Sequence, residues 1–573
     1  MTQKKSDFEL DSKTVGALPI VNRFLDRLKF RTLFEKYLPP PDPRAKVPPI
    51  DSLEVLVRNV IVCRMPLYSV GEWARGIVPR LLGTGPSRIE MDSGINDDRM
   101  GRALDRLFDA DRSALLTEFV VHMVREFDVD LAQFHNDSTS LTLQGQYKEA
   151  DGRRIRGKRT LRVLFGHSKE HRPDLKQLLW ILTVSADGAV PVHFKVADGN
   201  TEDSTSHIET WHMLCALVGG ADFIYVADCK LCTRENLLYI TVRGGHFITI
   251  MPCTRKEDAQ FKAWLKTHTP EWQEIGRFPN PRCANSPPDV MSTMESPIQD
   301  ADGFRLIWYH SSLKHERDAE ARGAAIERAI KDLEELKVKL EGPRSRYSTL
   351  ANVTSAADQI VAASGAAAWI RHTVSEWEQE SFRQEKRGRP GNDTRWRRKT
   401  KARFRLTWEL NEDAINADAR TDGVFPLLTD RRDLSALQVL NAYKSKQPLI
   451  EKRHALLKST LAVTPAFLKN VSRLEAYLLI HYIAVTVHAL IERELRAAMR
   501  RQKVKELPLY PESRECKAPT TTRIIDVFES LQRHLLFSRG QHVQTFGPEL
   551  SQLHETILQL LGLAPTAYHA AWR

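Results

Sequence analysis

The fold of this chain is predicted to form around one stretch, Lys444-Ser445-Lys446-Gln447-Pro448-Leu449-Ile450-Glu451-Lys452-Arg453-His454-Ala455-Leu456-Leu457-Lys458, which follows Tyr443. If the stretch is helical, two turns of about 3.6 residues bring Glu451 and Lys458 back to one face. A carboxylate and an ammonium group then point the same way. An exposed helix with solvated charges explains the same pattern, so a functional interpretation needs partners elsewhere in the chain.

Two upstream aspartates are the candidate partners of Glu451. Asp137 lies within Phe134-His135-Asn136-Asp137-Ser138-Thr139-Ser140-Leu141, and Asp228 ends Phe223-Ile224-Tyr225-Val226-Ala227-Asp228. Both stretches are predicted strands, and carboxylates from different parts of a sheet can hold two divalent cations about 3.5 to 4 Å apart. Oxygen ligands favour Mg²⁺, with Mn²⁺ as the alternative. Either aspartate alone is equally well explained as structural, but the order Asp, Asp, Glu indicates phosphodiester chemistry.

Composition limits the classes of protein to which the chain can belong. Its 573 residues exceed one hydrophobic core, and 42% hydrophobic with 27% charged residues is typical of a folded protein. The net charge of +11 and the pI near 9.2 favour an anionic partner, either nucleic acid or an anionic membrane surface. No apolar run reaches the roughly 18 to 20 residues of a membrane-spanning helix, and no apolar signal follows Met1. A membrane role is therefore not expected.

The cysteines indicate a reducing compartment. There are seven of them, an odd and scattered set that does not suggest a disulfide framework. Cys229 and Cys232 form a lone CxxC, without the second ligand pair that a structural zinc site needs. We expect a cytoplasmic, nucleoid-associated protein.

Periodicity divides the first half of the chain into two domains. Residues 1–128 carry apolar side chains at three- and four-residue intervals, which predicts an all-helical domain. This domain either serves only to pack against the rest of the protein or recognises DNA ends. Residues 129–255 then read as three strands, a helix, a strand, a helix and a fifth strand, with a hairpin turn at Ala186-Asp187-Gly188. This order predicts an α/β, ribonuclease-H-like catalytic core.

The long interval between Asp228 and Glu451 predicts an inserted domain. Pro-rich residues 278–297 mark its entry, and residues 312–342 predict a long exposed helix, half of a hairpin with 349–382. Strands are predicted at 404–410 and 423–430, and 470–496 is predicted to be an apolar core helix. The predicted domains are 1–128, 129–255, the insertion 256–420, the second part of the core 421–503, and a C-terminal linker with a helical tail 504–573.

Two basic segments can supply phosphate contacts. The first contains Arg153, Arg154, Arg156, Lys158, Arg159 and Arg162, and the second contains Arg395, Arg397, Arg398, Lys399, Lys401, Arg403 and Arg405. The alternative for both segments is an exposed surface whose charges contact only solvent. Trp396 and Phe404 interleave the second segment, which favours DNA because neutralised phosphates add affinity and a ring can stack on an exposed base.

Several motifs together carry a family resemblance. They are Asp137-Ser138-Thr139-Ser140, Gly166-His167-Ser168-Lys169-Glu170-His171-Arg172-Pro173-Asp174-Leu175-Lys176-Gln177, Val226-Ala227-Asp228, Asp422-Gly423-Val424-Phe425, and Ile450-Glu451-Lys452-Arg453 through Leu457-Lys458. With these residues the chain resembles bacterial DDE transposases of insertion sequences, in the insertion-sequence-four type with its Tyr-Arg-Glu-Lys signature.

The resemblance implies roles for individual residues. Asp137, Asp228 and Glu451 would bind two Mg²⁺ ions, with which water cuts the element's end and the freed 3′ hydroxyl attacks target DNA. Lys458 matches the signature lysine, which contacts DNA near the cut.

The chain departs from the signature before Glu451. Gln447 stands where the signature has arginine, and Tyr443 falls one residue early. Lys444 and Lys446 can supply positive charge there, but without the planar fork of arginine.

Three functions remain open on these residues. The first is an active transposase, working by analogy as a homodimer on double-stranded DNA because two element ends are cut together. The second is a catalytically decayed, DNA-binding remnant, which Gln447 motivates. The third is a metal-dependent nuclease that cuts DNA without joining it.

Overall fold

The structure is a computed structural model and describes residues 8–41, 47–83, 94–280, 286–342, 345–444 and 447–568. The chain divides into two compact units. Unit 1 combines Met1–Thr249 with Leu440–Arg573, and unit 2 is Ile250–Val439. The predicted insertion, 256–420, falls within unit 2.

Unit 1 begins with a strand and a group of helices. The elements are β1 (Phe8–Thr14), α1 (Leu18–Arg27), α2 (Phe30–Tyr37), α3 (Pro49–Val62), α4 (Val70–Arg75), α5 (Asp97–Asp109) and α6 (Arg112–Phe127). The prediction that this part is all helical is wrong at its start, because β1 pairs antiparallel with residues 532–538. Since β1 has a mostly polar sequence, its extended form depends on this distant strand and not on a local apolar pattern.

The central sheet of unit 1 carries both aspartates. Its elements are β2 (Gln133–Leu143), the short pair β3 (Arg154–Ile155) and β4 (Lys158–Arg159), β5 (Lys176–Ser185), β6 (Pro191–Ala197), α7 (His207–Val218), β7 (Ile224–Ala227), α8 (Arg234–Val242) and β8 (His246–Ile250). The strand order is β6-β5-β2-β7-β8, antiparallel from β6 to β2 and parallel from β2 to β8. A mixed α/β fold is thus confirmed, and its elements follow the order predicted for the core.

Unit 2 combines a sheet, two long helices and a β-ribbon. Its elements are α9 (Lys256–Thr267), β9 (Gln273–Phe278), β10 (Asp289–Glu295), β11 (Arg305–Ser311), α10 (Ser312–Glu341), α11 (Leu350–Ser364), β12 (Ile370–Gln384), β13 (Trp396–Leu410), α12 (Glu412–Ala419) and β14 (Val424–Thr429). Strands β14-β11-β10-β9 form an antiparallel sheet, and β12 pairs with β13 over fifteen residues each. The long helix predicted from residue 312 is confirmed as α10.

One prediction for unit 2 is wrong. The helix predicted over 349–382 ends at Ser364, because Gly365 adopts a left-handed φ of 79° that terminates α11, and the chain continues as β12. The Pro-rich stretch 278–297, predicted to mark the entry of the insertion, contains β10, which pairs with β9 and β11.

The chain completes unit 1 with a buried helix and a short tail. The elements are α13 (Ala436–Lys444), α14 (Gln447–Ala455), a π-helical turn (Leu456–Thr460), α15 (Val471–Arg501), α16 (Thr521–Phe528), β15 (Gln532–Ser538), β16 (Gln541–Phe546) and α17 (Gln552–Leu560). Within the described part of the chain, α15 alone is long and apolar enough to cross a membrane, and its apolar window is entirely buried in the protein. It is therefore the predicted core helix. The tail is not purely helical as predicted, since β15 and β16 extend the sheet begun by β1.

Candidate active site

The register of the central sheet brings Asp137 and Asp228 side by side. Parallel strands β2 and β7 pair Asn136 with Ala227; Asp137 is the next residue of β2, and Asp228 is the first residue after β7. Adjacent strands lie about 4.7 to 4.9 Å apart, so the two backbones are separated by roughly one strand spacing. The side chain of Thr249 fixes the backbone there, because its hydroxyl donates to the Asp228 carbonyl at 2.7 Å.

Glu451 reaches the same site from helix α14. This helix packs against β2, the strand that carries Asp137. Partial burial raises the pKa of the Glu451 carboxyl, and the negative charge of Asp137 raises it further. The two carboxylates are therefore close enough for their charges to repel, although they lie 314 positions apart in the sequence.

Tyr443 links the three acids. Burial raises the pKa of its phenol, and the charges of Asp228, Cys229, Asp137 and Glu451 add to that rise. All of these groups therefore lie in the electrostatic neighbourhood of one tyrosine hydroxyl at the end of α13. The phenol remains protonated at neutral pH and is available as a hydrogen-bond donor.

One hydrogen bond and two longer ion-pair contacts surround the Asp137 carboxylate. The backbone N–H of Ser138 donates to Oδ1 at 2.8 Å, Lys169 Nζ lies 3.8 Å from Oδ1, and His454 Nδ1 lies 3.5 Å from Oδ2. Burial raises the pKa of the Asp137 carboxyl, but His454 and Lys169 outweigh this effect and hold it below its ordinary value. Asp137 is thus anionic at neutral pH and fixed from both sides.

Lys169 and Glu170 connect β2 to the π-helical turn. Lys169 Nζ donates to the Ser138 carbonyl at 2.6 Å, which places it beside Asp137. Glu170 accepts from the Thr142 hydroxyl at 2.5 Å and pairs with Lys458 Nζ at 2.7 Å. The ammonium group of Lys458 is therefore held by Glu170, the neighbour of Lys169 in the sequence, and the predicted DNA contact of Lys458 stays a prediction.

Arg453 anchors the Glu451 helix to the core. Its guanidinium donates to the carbonyls of Ala189 at 3.1 Å and Gly188 at 2.9 Å, in the β5–β6 turn. It also pairs with Glu492 of α15 at 2.8 Å, and both side chains are buried. Since Arg453 points into the protein, Glu451 lies on the outer, more exposed side of the same helix.

The donor chemistry of the site fits a small, hard cation. Asp137, Asp228 and Glu451 offer carboxylate oxygens, the ligands that Mg²⁺ and Mn²⁺ prefer. A divalent cation would also relieve the repulsion between Asp137 and Glu451. Across the described ranges, however, no three histidine, cysteine, aspartate or glutamate side chains are arranged closely enough to hold a metal ion. Shared metal binding by these three carboxylates therefore stays a prediction.

The structure describes only part of the segment from Tyr443 to Gln447 that precedes Glu451. Tyr443 and Lys444 end α13, and both are partly exposed. Lys446 and the side chain of Gln447 lie outside the described residues, so the predicted DNA contacts of this segment stay predictions.

The first basic segment is largely engaged in structural contacts. Arg153 pairs with Asp151 at 3.0 Å, and Arg154 donates to the Gly157 carbonyl at 3.0 Å. Lys158 Nζ donates to the carbonyls of Phe108, Asp109 and Ala110, so it caps the C-terminal end of α5. Arg153 and Arg154 remain exposed to solvent, whereas Lys158 has a structural role that the sequence did not reveal.

The second basic segment lies on the outer part of the unit 2 ribbon. Arg397, Arg398 and Lys399 belong to β13, and Arg395 precedes that strand. All four are exposed, and Arg398 pairs with Glu380 of β12.

Sequence analysis missed two side chains that hold Asp137. His454 follows Glu451 by three residues, so helical spacing alone indicates that both face one side. Lys169 was noted only as part of a motif, because its contact with β2 depends on how the loop between β4 and β5 folds back.

Comparisons with known proteins identify one domain. Residues 10–121 match DUF4277, a domain of unknown function. No curated protein matches the chain. A solved structure, described as the cryo-EM structure of piggyBac transposase synaptic complex with hairpin DNA, is 8% identical with a TM-score of 0.37, over 96% of this chain and 81% of that chain. At this TM-score the likeness establishes neither the fold nor the function of the present chain.

Proposed function

We propose that this protein is a DDE transposase that cleaves DNA ends and transfers the 3′ hydroxyl into target DNA with the help of Mg²⁺. The observation that supports the proposal is that Asp137 and Asp228 come next to paired residues of two parallel strands, and that the charges of both aspartates and of Glu451 act on the Tyr443 phenol. These acids come from a central strand, its parallel neighbour and a distant helix. The family resemblance of the sequence assigns the same three residues.

Each residue has a distinct part in the proposed reaction. Asp137, Asp228 and Glu451 would hold two Mg²⁺ ions, which activate the attacking oxygen and stabilise the leaving one when bound. Lys169 and His454 would orient Asp137, Arg453 would fix the helix of Glu451, and the Tyr443 hydroxyl would donate to a phosphate oxygen. Two copies of the chain would act together on two DNA ends, in the cytoplasm.

The test uses DNA carrying the sequences that flank this coding region, a supercoiled target plasmid, and Mg²⁺, Mn²⁺ or no metal. The wild-type protein is expected to give 3′-end cleavage and joined products only with metal. Asp137→Asn should abolish both products while DNA binding stays within about twofold. Asp222→Asn is the control, because Asp222 is an exposed aspartate that precedes β7 outside the site.

Other outcomes separate the alternative functions. Cleavage without joined products would favour a nuclease, and DNA binding without cleavage in either metal would favour a decayed remnant. Full activity of Asp137→Asn would overturn the assignment of the site.

A further inference from the structure

The register of the β12–β13 ribbon sorts its side chains onto two faces of opposite character. Ile370 pairs with Leu410 and Gln384 with Trp396, so even-numbered residues of both strands share one face and odd-numbered residues the other. On the even face, Ile370, Phe404 and Leu406 are buried against helices α10 and α11. The even face therefore attaches the ribbon to the rest of unit 2.

The odd face is basic. Its positively charged members are Arg371, Arg383, Arg397, Lys399, Lys401, Arg403 and Arg405, and Glu409 is its one acidic residue. All of these basic side chains except Arg403 are exposed. Trp377 lies among them, opposite Arg403 in the register, and 46% of its surface is exposed. The acidic residues Glu376, Glu378 and Glu380 all lie on the even face.

We infer that the odd-numbered face of the ribbon is a binding surface for double-stranded DNA. This inference rests on the proposed function for its choice of partner. Alternate residues of a strand are spaced about 6.6 to 6.8 Å apart, so Arg397, Lys399 and Lys401 present a regular row of cations to a phosphate backbone. A two-stranded ribbon also fits the major groove, which is about 12 Å wide.

The charge difference between the faces fixes the orientation of the ribbon on DNA. The three glutamates of the even face would repel phosphates, whereas the odd face attracts them. Trp377 adds an apolar surface within the cationic row, suited to contact with a sugar or a base. Arg398 is adjacent in sequence to this row but lies on the even face, paired with Glu380. It therefore makes no phosphate contact in this arrangement.

Lys399 and Arg398 form a matched pair for the test, since they are neighbours on opposite faces. The full-length protein is titrated against a fluorescein-labelled duplex of about 30 base pairs at several salt concentrations. Each lost phosphate contact makes the negative slope of log K against log salt shallower by about 0.9. The ratio of wild-type to variant affinity should therefore grow about eightfold when the salt concentration falls from 1 M to 0.1 M. Lys399→Gln should show this loss, Lys399→Gln with Lys401→Gln about twice the slope change, and Arg398→Gln no change. Trp377→Ala should weaken binding without changing the slope.

Three results would overturn the inference: equal effects of Arg398→Gln and Lys399→Gln, no effect of the double variant, or tighter binding of a duplex RNA of the same length. Matching circular dichroism spectra of all variants exclude misfolding. The cleavage assay separates this inference from the proposed function. Loss of binding in the double variant, with no cleavage by the wild type, would support the ribbon and reject the transposase. Cleavage by the wild type, with unchanged binding in the double variant, would support the transposase and reject the ribbon as a DNA-binding surface.

Discussion

Glu451 and Asp137 carry like charges in one site, and this repulsion should be measurable as lost stability. Burial, and then the charge of Asp137, raise the pKa of Glu451, so the ionised carboxylate is less favourable in the folded than in the unfolded chain. Glu451→Gln should therefore raise the thermal unfolding midpoint at pH 7.5. The gain should vanish near pH 4, where glutamate becomes protonated in both states.

Differential scanning fluorimetry across this pH range checks the prediction. Glu515→Gln, at an exposed position outside the site, is the control and should leave the midpoint unchanged at every pH. A lower midpoint for Glu451→Gln at pH 7.5 would mean that Glu451 stabilises the fold and does not oppose Asp137.

The sequence indicated the three acids more readily than the groups that hold them. Asp137 was recognisable because it lies within a predicted strand, Asp228 because it ends one, and Glu451 because Lys458 follows at helical spacing. Lys169 was not assigned a role, because its contact with Asp137 arises from a loop that crosses β2. No pattern along one segment encodes such a contact.

At the scale of elements, helix α14 depends on Arg453 for its position. Arg453→Met removes the buried partner of Glu492 and the donors to the β5–β6 turn. Breaking one side of a buried ion pair costs about 3 to 5 kcal/mol. Urea unfolding followed by tryptophan fluorescence should show a loss of this size.

Lys452→Met provides the control for this prediction. Lys452 is the exposed neighbour of Arg453, so its replacement should change the free energy of unfolding by no more than about 0.5 kcal/mol. Equal stability of Arg453→Met and the wild type would contradict the anchoring role of this arginine.

Elements with a strong local pattern were predictable, and those formed by distant pairing were not. Helix α10 agrees with the predictions because its oppositely charged pairs at i,i+4 spacing are a local signal, and the strands β5 to β8 agree because their apolar pattern is local. Strands β1 and β12 were missed because polar residues dominate their sequences. Cross-strand partners, and not local propensity, determine their conformation.

At the scale of the whole chain, β1 joins the two ends of the sequence. Its backbone pairs with β15 from Phe8 to Thr14. Deleting residues 1–14 should therefore expose the amides of β15, and hydrogen exchange in residues 532–538 should accelerate. Deleting only residues 1–7 leaves the pairing intact and should have no effect. Equal exchange in both deletion variants would show that β15 does not need β1.

If Asp137, Asp228 and Glu451 form one metal centre, crystals of the full-length protein soaked in Mn²⁺ should show it by anomalous diffraction. We expect manganese peaks about 2.1 Å from carboxylate oxygens of these three residues, a typical distance for a small, hard cation. The peaks should disappear in Asp137→Asn. Manganese bound only elsewhere, or unchanged peaks in that variant, would show that these three carboxylates do not share a metal ion.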